Sequence, residues 1–313
     1  MTARIHTGTS ALALAAMQVG HAKCIFNTIR VDYPPQTAVI AALAEVCYAA
    51  EGRPPGADCG GAMVVAPHGC GKSEAVEEFA RIMLAQAEPG QKPVVHCTIS
   101  TQGTTDSVPS SILKALGAAR WDAGNEKSRW ARAIGESQRF GVKIFVFDEF
   151  NRAARRDRVS GPIATSIREN IMDAGIAPVA FVGSEAAATV LAKVPELMER
   201  LDDDIDLSPM RWDTAGDRQL FIDFVSDLDH AMVEKRVLSC LSGLADEVIA
   251  RPLWEASSGR LRRIIKIVRH AMATALHDNR GAIERGDLIE AVDAYCISRK
   301  FCLTNPFLKG GSR

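Results

Sequence analysis

Ala66-Pro67-His68-Gly69-Cys70-Gly71-Lys72-Ser73 is the stretch that decides the fold. It follows a short apolar run, Ala62-Met63-Val64-Val65, and leads into a segment of helical period. A strand, a glycine-rich turn ending in Lys-Ser and a helix are what a phosphate-binding P-loop requires. Glycines let successive backbone N–H groups turn inward around phosphate oxygens, and the following helix aims its positive end at the same anion. On this reading Pro67, His68, Gly69, Cys70, Gly71 and Glu74 surround the triphosphate of ATP. Lys72 reaches the β and γ phosphates, and the Ser73 hydroxyl ligates Mg²⁺. The stricter pattern has Gly where Ala66 stands, but Ala is a common variant there. The competing reading is a glycine-rich turn without a ligand.

The helix after the loop is legible in its period. Val76, Phe79, Ala80, Met83 and Leu84 fall at i, i+3, i+4, i+7 and i+8, with Glu74, Glu77, Glu78 and Arg81 mostly between them. Pro89-Gly90 ends it. Around this unit the chain alternates buried-type strands with helices. Strands are expected at Ala62–Val65, Pro93–Ile99, Lys143–Phe147, Pro178–Gly183 and, briefly, Asp204–Leu207. Helices are expected at 37–50, 110–119, 126–140, 163–174 and 186–200, the last interrupted near Pro195. Strands apolar on both faces and separated by helices imply a five-stranded parallel sheet covered on both sides. After Trp212 only helical period remains, over 217–232, 234–250, 260–275 and 285–299, which reads as a small helical lid. The expected organisation is an N-terminal arm (1–25), an α/β nucleotide-binding domain (26–212), a helical lid (213–302) and a tail (303–313).

Composition sets bounds. The chain of 313 residues is 47% hydrophobic and 24% charged, room for one large or two ordinary domains. Thirty-seven basic against 38 acidic residues leave a net charge of −1, so any nucleic-acid surface must be local. The eight cysteines are scattered with no CxxC pair, and Cys59, His68 and Cys70 fit no usual zinc spacing. Free thiols in a reducing cytoplasm are the expectation. No apolar run reaches the roughly 18 residues of a membrane helix, and Ala11–Ala16 reads as part of a helix rather than a signal peptide.

A P-loop ATPase needs acidic groups at a second strand end. Lys-Ile-Phe-Val-Phe runs into Asp148-Glu149, which delivers two carboxylates to the sheet edge beside the phosphates. Asp148 would hold Mg²⁺, and Glu149 would orient and deprotonate the attacking water. Ser184 ends the fourth strand, where its hydroxyl can meet the γ-phosphate or that water. Arg200 closes the next helix, where an arginine can project into a neighbouring subunit's site; the plainer reading is an ion pair with Asp202 or Asp203. In the lid, Ser258-Gly259-Arg260-Leu261-Arg262-Arg263 opens a helix. Arg262, with Arg263 in reserve, can fold back onto the phosphates. The other reading is a solvated basic face of Arg262, Lys266 and Arg269.

Together these pieces resemble the AAA+ ATPases, and within them the TniB/TnsC group of DNA-transposition ATPases. The resemblance spans roughly residues 25–300. It rests on Ile29-Arg30-Val31-Asp32-Tyr33-Pro34, Phe147-Asp148-Glu149-Phe150-Asn151, Val182-Gly183-Ser184-Glu185-Ala186, Glu199-Arg200-Leu201 and Ser208-Pro209-Met210-Arg211-Trp212. The family usually has Thr at 184 and Phe at 201, where this chain has Ser and Leu. The resemblance implies ATP-bound subunits that assemble on double-stranded DNA as a ring or helical filament. They would mark target DNA, recruit a DDE-type transposase and disassemble on hydrolysis, with Arg200 completing a neighbour's site. DNA contacts would come from Arg152, Arg155, Arg156 and Arg158 after the acidic strand, and from Thr101–Thr105 and Lys114 after the second strand. A solvated loop, or a loop serving the subunit interface, is the alternative for 152–158. Asn305-Pro306-Phe307 is either a partner-docking segment or an ordered tail on the lid. Two other functions stay open: an AAA+ helicase loader or protein remodeller, and a nucleotide-gated DNA scaffold with negligible turnover.

Overall fold

The computed structural model describes residues 4–309 apart from 55, 100–103, 156, 202–204 and 206. The chain divides into two compact units: one is Pro34–Ser208, the other joins the residues up to Tyr33 with those from Pro209 onward.

The first unit is α/β. Its strands are β1 (Gly61–Val65), β2 (Val94–Thr98), β3 (Ile144–Asp148) and β4 (Val179–Gly183), in the order β1-β4-β3-β2 and all parallel. β3 and β4 are buried along their whole length, as their apolar runs require. Phe147 stacks on Phe181 at 6.1 Å, and Phe150 meets the same ring edge-on at 4.8 Å. Four strands are seen where the sequence pattern predicts five. Leu201 makes a single parallel bridge to Gly61, and the Ile205 amide donates to the Met63 carbonyl at 3.4 Å. The chain thus runs beside β1 at the position of the predicted fifth strand, but most of 202–206 lies outside the described residues.

Because the strands are parallel, their C-terminal ends share one edge, and the connections leaving that edge carry the chemistry. The helices of this unit begin with α2 (Pro34–Glu51) and α3 (Lys72–Ala85), α1 (Arg4–Phe26) belonging to the other unit. They continue with α4 (Ser107–Leu116), α5 (Glu126–Arg139), α6 (Asp157–Ile167), α7 (Glu185–Leu191) and α8 (Pro195–Met198). Pro34-Pro35 opens α2, since a proline in the first turn loses no helical hydrogen bond. The expected 163–174 helix is α6 followed by a π turn at Arg168–Met172.

The second unit is helical: α1, α9 (Ala215–Glu234), α10 (Glu247–Ser257), α11 (Leu261–His277) and α12 (Arg285–Val292), with a π turn at Asp293–Ile297. α1, a separate arm by sequence, is in the same compact unit as these helices. The expected 234–250 helix forms only from Glu247 on. The buried Asp229 carboxylate explains this: it accepts the Ser242 amide at 2.9 Å and the Leu244 amide at 3.3 Å, so this segment satisfies its donors on a side chain instead of in a helix. Gly259 has φ 66°, and a Cβ there would lie 2.0 Å from the Met210 carbonyl oxygen, so only glycine fits the entry to α11.

The tail is ordered against its own unit. The Asn305 side-chain amide donates to the Ile289 carbonyl at 2.9 Å and to Asp293 Oδ1 at 2.8 Å, while its carbonyl accepts the Phe307 amide at 3.1 Å. Phe307 is 1% exposed, under the Arg285 guanidinium, so it is a core residue and not an exposed docking aromatic. Among the described residues no helix is long and apolar enough to cross a membrane.

Candidate functional site

β1 ends at Val65 and the chain turns through 66–71 into α3. Gly69 (φ 86°) and Gly71 (φ 94°) hold left-handed conformations that a side chain would strain, and Gly71 caps α3. Left-handed glycines ahead of a helix N-terminus are the kind of backbone that can turn its amides toward anionic oxygens. The Lys72 ammonium donates to the Ala66 carbonyl at 2.6 Å and the Pro67 carbonyl at 3.0 Å, so the lysine lies over its own loop, 8% exposed. Cys70 is buried against the loop, whereas His68 and Glu74 are exposed.

β3 delivers the acidic pair. The Ser73 hydroxyl donates to Asp148 Oδ2 at 2.8 Å, which joins the two residues expected to hold Mg²⁺. Asp148 is 5% exposed. Burial pushes its carboxyl up, but hydrogen bonds from His96, Ser73 and the Glu149 amide act together against burial and leave it below its ordinary value. The Ser73 hydroxyl and Asp148 carboxylate are hard oxygen donors, and Mg²⁺ needs only one or two of these when phosphates and water complete its shell. The residues therefore fit the ion.

Glu149 has φ 54°, a left-handed backbone on a non-glycine residue, of the kind that clusters at functional sites. Its carboxylate lies 3.5 Å from the Asn151 amide nitrogen and 3.5 Å from Arg152 Nε. Asn151 Oδ1 also accepts the Ser184 amide at 3.3 Å, tying the ends of β3 and β4 together. Lys72, Ser73, Asp148, Glu149 and Ser184 are thus all at the strand ends of one sheet edge.

Arg200 pairs with Asp58 at 2.9 Å and Asp173 at 2.8 Å. Its sequence neighbours Asp202 and Asp203 lie outside the described residues. Arg262 is exposed on the first turn of α11 in the helical unit; Arg263 stacks over Phe301 at 4.1 Å and reaches Ser258 Oγ at 3.3 Å. Of the residues read as DNA contacts, Arg152 is paired with Glu149, Arg158 is exposed, and Lys114 lies over the Trp121 ring at 5.5 Å. Arg156 and Thr101 are outside the described residues, as is the Arg155 side chain.

Two contacts have no counterpart in the sequence reading. The Gln36 side-chain amide, from α2, donates to the Gly71 carbonyl at 2.8 Å and so braces the loop where it becomes helix. His96 Nε2, on β2, lies 3.4 Å from Asp148 Oδ2. An imidazole inside the otherwise apolar Val94-Val95-His96-Cys97 run is the available signal for the second; nothing near Gln36 announces the first.

Comparison with known proteins fits this architecture. The solved structures that match include Aeropyrum pernix ORC1 in complex with DNA (17% identity, TM-score 0.60, 87% of this chain and 69% of that one). They also include Cdc6p from Pyrobaculum aerophilum (14% identity, TM-score 0.58, 86% and 69%) and Drosophila ORC bound to DNA (14%, 0.54, 91% and 66%). At these identities the likeness is one of fold, and the fold is AAA+. No curated protein matches. A family model described as "Bacterial TniB protein" matches residues 27–210, more than half of the chain and all four strands. On that match, this chain belongs to the TniB family.

Proposed function

We propose that the chain is an ATP-hydrolysing regulator of DNA transposition that assembles on duplex DNA when ATP is bound. The observation that carries the ATPase reading is the 2.8 Å contact between Ser73 and Asp148, with Glu149 beside it. Hydroxyl and carboxylate are already together, and the adjacent carboxylate can accept a proton from water. In this reading Ser73 and Asp148 would hold Mg²⁺, which would supply neutralisation of phosphate charge. Lys72 leaves its loop carbonyls to bind the phosphates, Glu149 accepts the proton of the attacking water, and Ser184 and Arg262 contact the triphosphate. Arg200 exchanges Asp58 and Asp173 for a neighbour's γ-phosphate.

Family membership supports the DNA and transposition part, as does the fold shared with ORC proteins that are bound to DNA. The loops carrying Thr101, Lys114, Arg152, Arg155, Arg156 and Arg158 are the proposed DNA side, and a DDE-type transposase is the proposed client. The test is electron microscopy of the purified chain with duplex DNA, alongside an ATPase assay. Rings or filaments that need ATP, together with DNA-stimulated turnover, are expected. ATPase without any DNA coating would favour a loader or remodeller, and coating without turnover would favour a scaffold. Replacing Lys114 or any one of the proposed DNA-contacting arginines by Ala should lower the salt slope of DNA binding by about 0.9.

A further inference from the structure

Outside the nucleotide site, the helical unit contains a cleft of about 650 Å³ between α1, α11 and the α12–π segment. Lys23 of α1, Lys266 and Arg269 of α11 and Arg299 line it, with His270 and His277 alongside. Glu290 is the one carboxylate among its described lining residues. Four basic side chains therefore share the cleft with a single carboxylate.

The partners of the two arginines are neutral. Arg269 donates to the Asn27 side-chain oxygen at 3.2 Å. Arg299 directs one nitrogen at the Ala294 and Tyr295 carbonyls, at 3.3 and 3.4 Å, and its guanidinium lies 4.9 Å from the centre of the Tyr295 ring. Among the described residues none of the four cations is in an ion pair, whereas Arg280 in the same unit has three carboxylate partners. Arg269 first, then burial, then Arg262 and Arg299 press the Lys266 ammonium below its ordinary value. Like charges have been gathered here with one carboxylate, Glu290, against four cations, and an anion from outside would relieve their repulsion.

We infer that this cleft binds a cluster of phosphates through Lys23, Lys266, Arg269 and Arg299, either in a duplex backbone or in a free polyphosphate. Guanidinium forks bind phosphate oxygens two at a time, and a concave site of this size has room for several phosphates. The inference goes beyond the function proposed above. The cleft lies wholly within the helical unit, and its residues are neither the proposed DNA contacts nor the P-loop.

The test titrates the full chain, with ADP and Mg²⁺ saturating the P-loop, against inorganic tripolyphosphate and separately against duplex DNA over a salt series. Wild type should bind tripolyphosphate. The double variant K266E/R269E should bind it about tenfold more weakly or worse, with ADP affinity unchanged. Glu290→Gln should tighten it, which keeps the test decisive if the charge reversal fails to fold. A K266Q/R269Q salt slope lower by about 0.9 for each cation removed would identify the DNA backbone as the source. An unchanged slope with abolished tripolyphosphate binding would identify a free polyphosphate. The inference is overturned if all variants titrate like wild type in both arms, or if a poly-glutamate peptide binds while neither phosphate probe does.

Discussion

The two units place their functional groups by different means. In the α/β unit the candidate groups of the nucleotide site, Arg200 apart, stand at or within a few residues of the end of a buried strand: Lys72 and Ser73 after β1, Asp148 and Glu149 at β3, Ser184 after β4. Parallel topology then brings them to one edge without further instruction. In the helical unit the basic cleft assembles from residues 23, 266, 269 and 299, which only tertiary packing unites. A strand end is therefore a local address for chemistry, and a helix face is not.

The sharpest way to break this contrast is at Arg200, the one proposed catalytic group of the α/β unit that stands away from the strand-end cluster. Arg200→Ala should lower turnover by about 10³-fold or more, the range of an arginine finger. Mixing it with Lys72→Ala protein should restore part of that activity, because each supplies what the other lacks. A drop without rescue would show that Arg200 acts only through its ion pairs with Asp58 and Asp173. Next in size, Glu149→Gln should cost about 10²-fold in turnover while nucleotide binding persists, as removal of a general base predicts. Normal turnover in that variant would remove Glu149 from the chemistry.

On the helical side, Asp229→Ala strands the Ser242 and Leu244 amides and should destabilise the unit by about 2 kcal/mol or more, read from the urea midpoint. A neutral result would mean that packing alone shapes the 235–246 segment. The smallest effect is a labelling pattern. Burial pushes the Cys47 and Cys97 thiols up to about 12, and Cys59 and Cys70 are also buried, so the α/β unit should resist iodoacetamide in the native state. Exposed Cys24 and Cys240 of the helical unit should react first, which mass spectrometry of the digested protein reads directly.

Legibility follows the same divide. The loop at 66–73, the Asp148-Glu149 pair and the strand ends are readable because glycine geometry and buried runs are properties of short segments. Gln36 is not, because its contact with Gly71 depends on how α2 packs. Nor is the irregular 235–246 stretch, whose residues keep a helical period while Asp229 takes their amides. The π turns at 168–172 and 293–297 hide for a similar reason: one extra residue in a turn leaves the apolar pattern almost intact. Arg200 has acidic neighbours in sequence, yet it meets Asp58 and Asp173, brought in by the turn before β1 and the end of the Arg168–Met172 π turn.

The ordering of Asn305 and Phe307 has a practical corollary for anyone preparing this protein. The last aromatic ring is an interior part; Arg285 donates to the Phe307 carbonyl, and the Asn305 amide beside it latches onto Ile289 and Asp293. Trimming the chain before Asn305 would open a hole under α12, whereas a label fused beyond Lys309 leaves the latch closed.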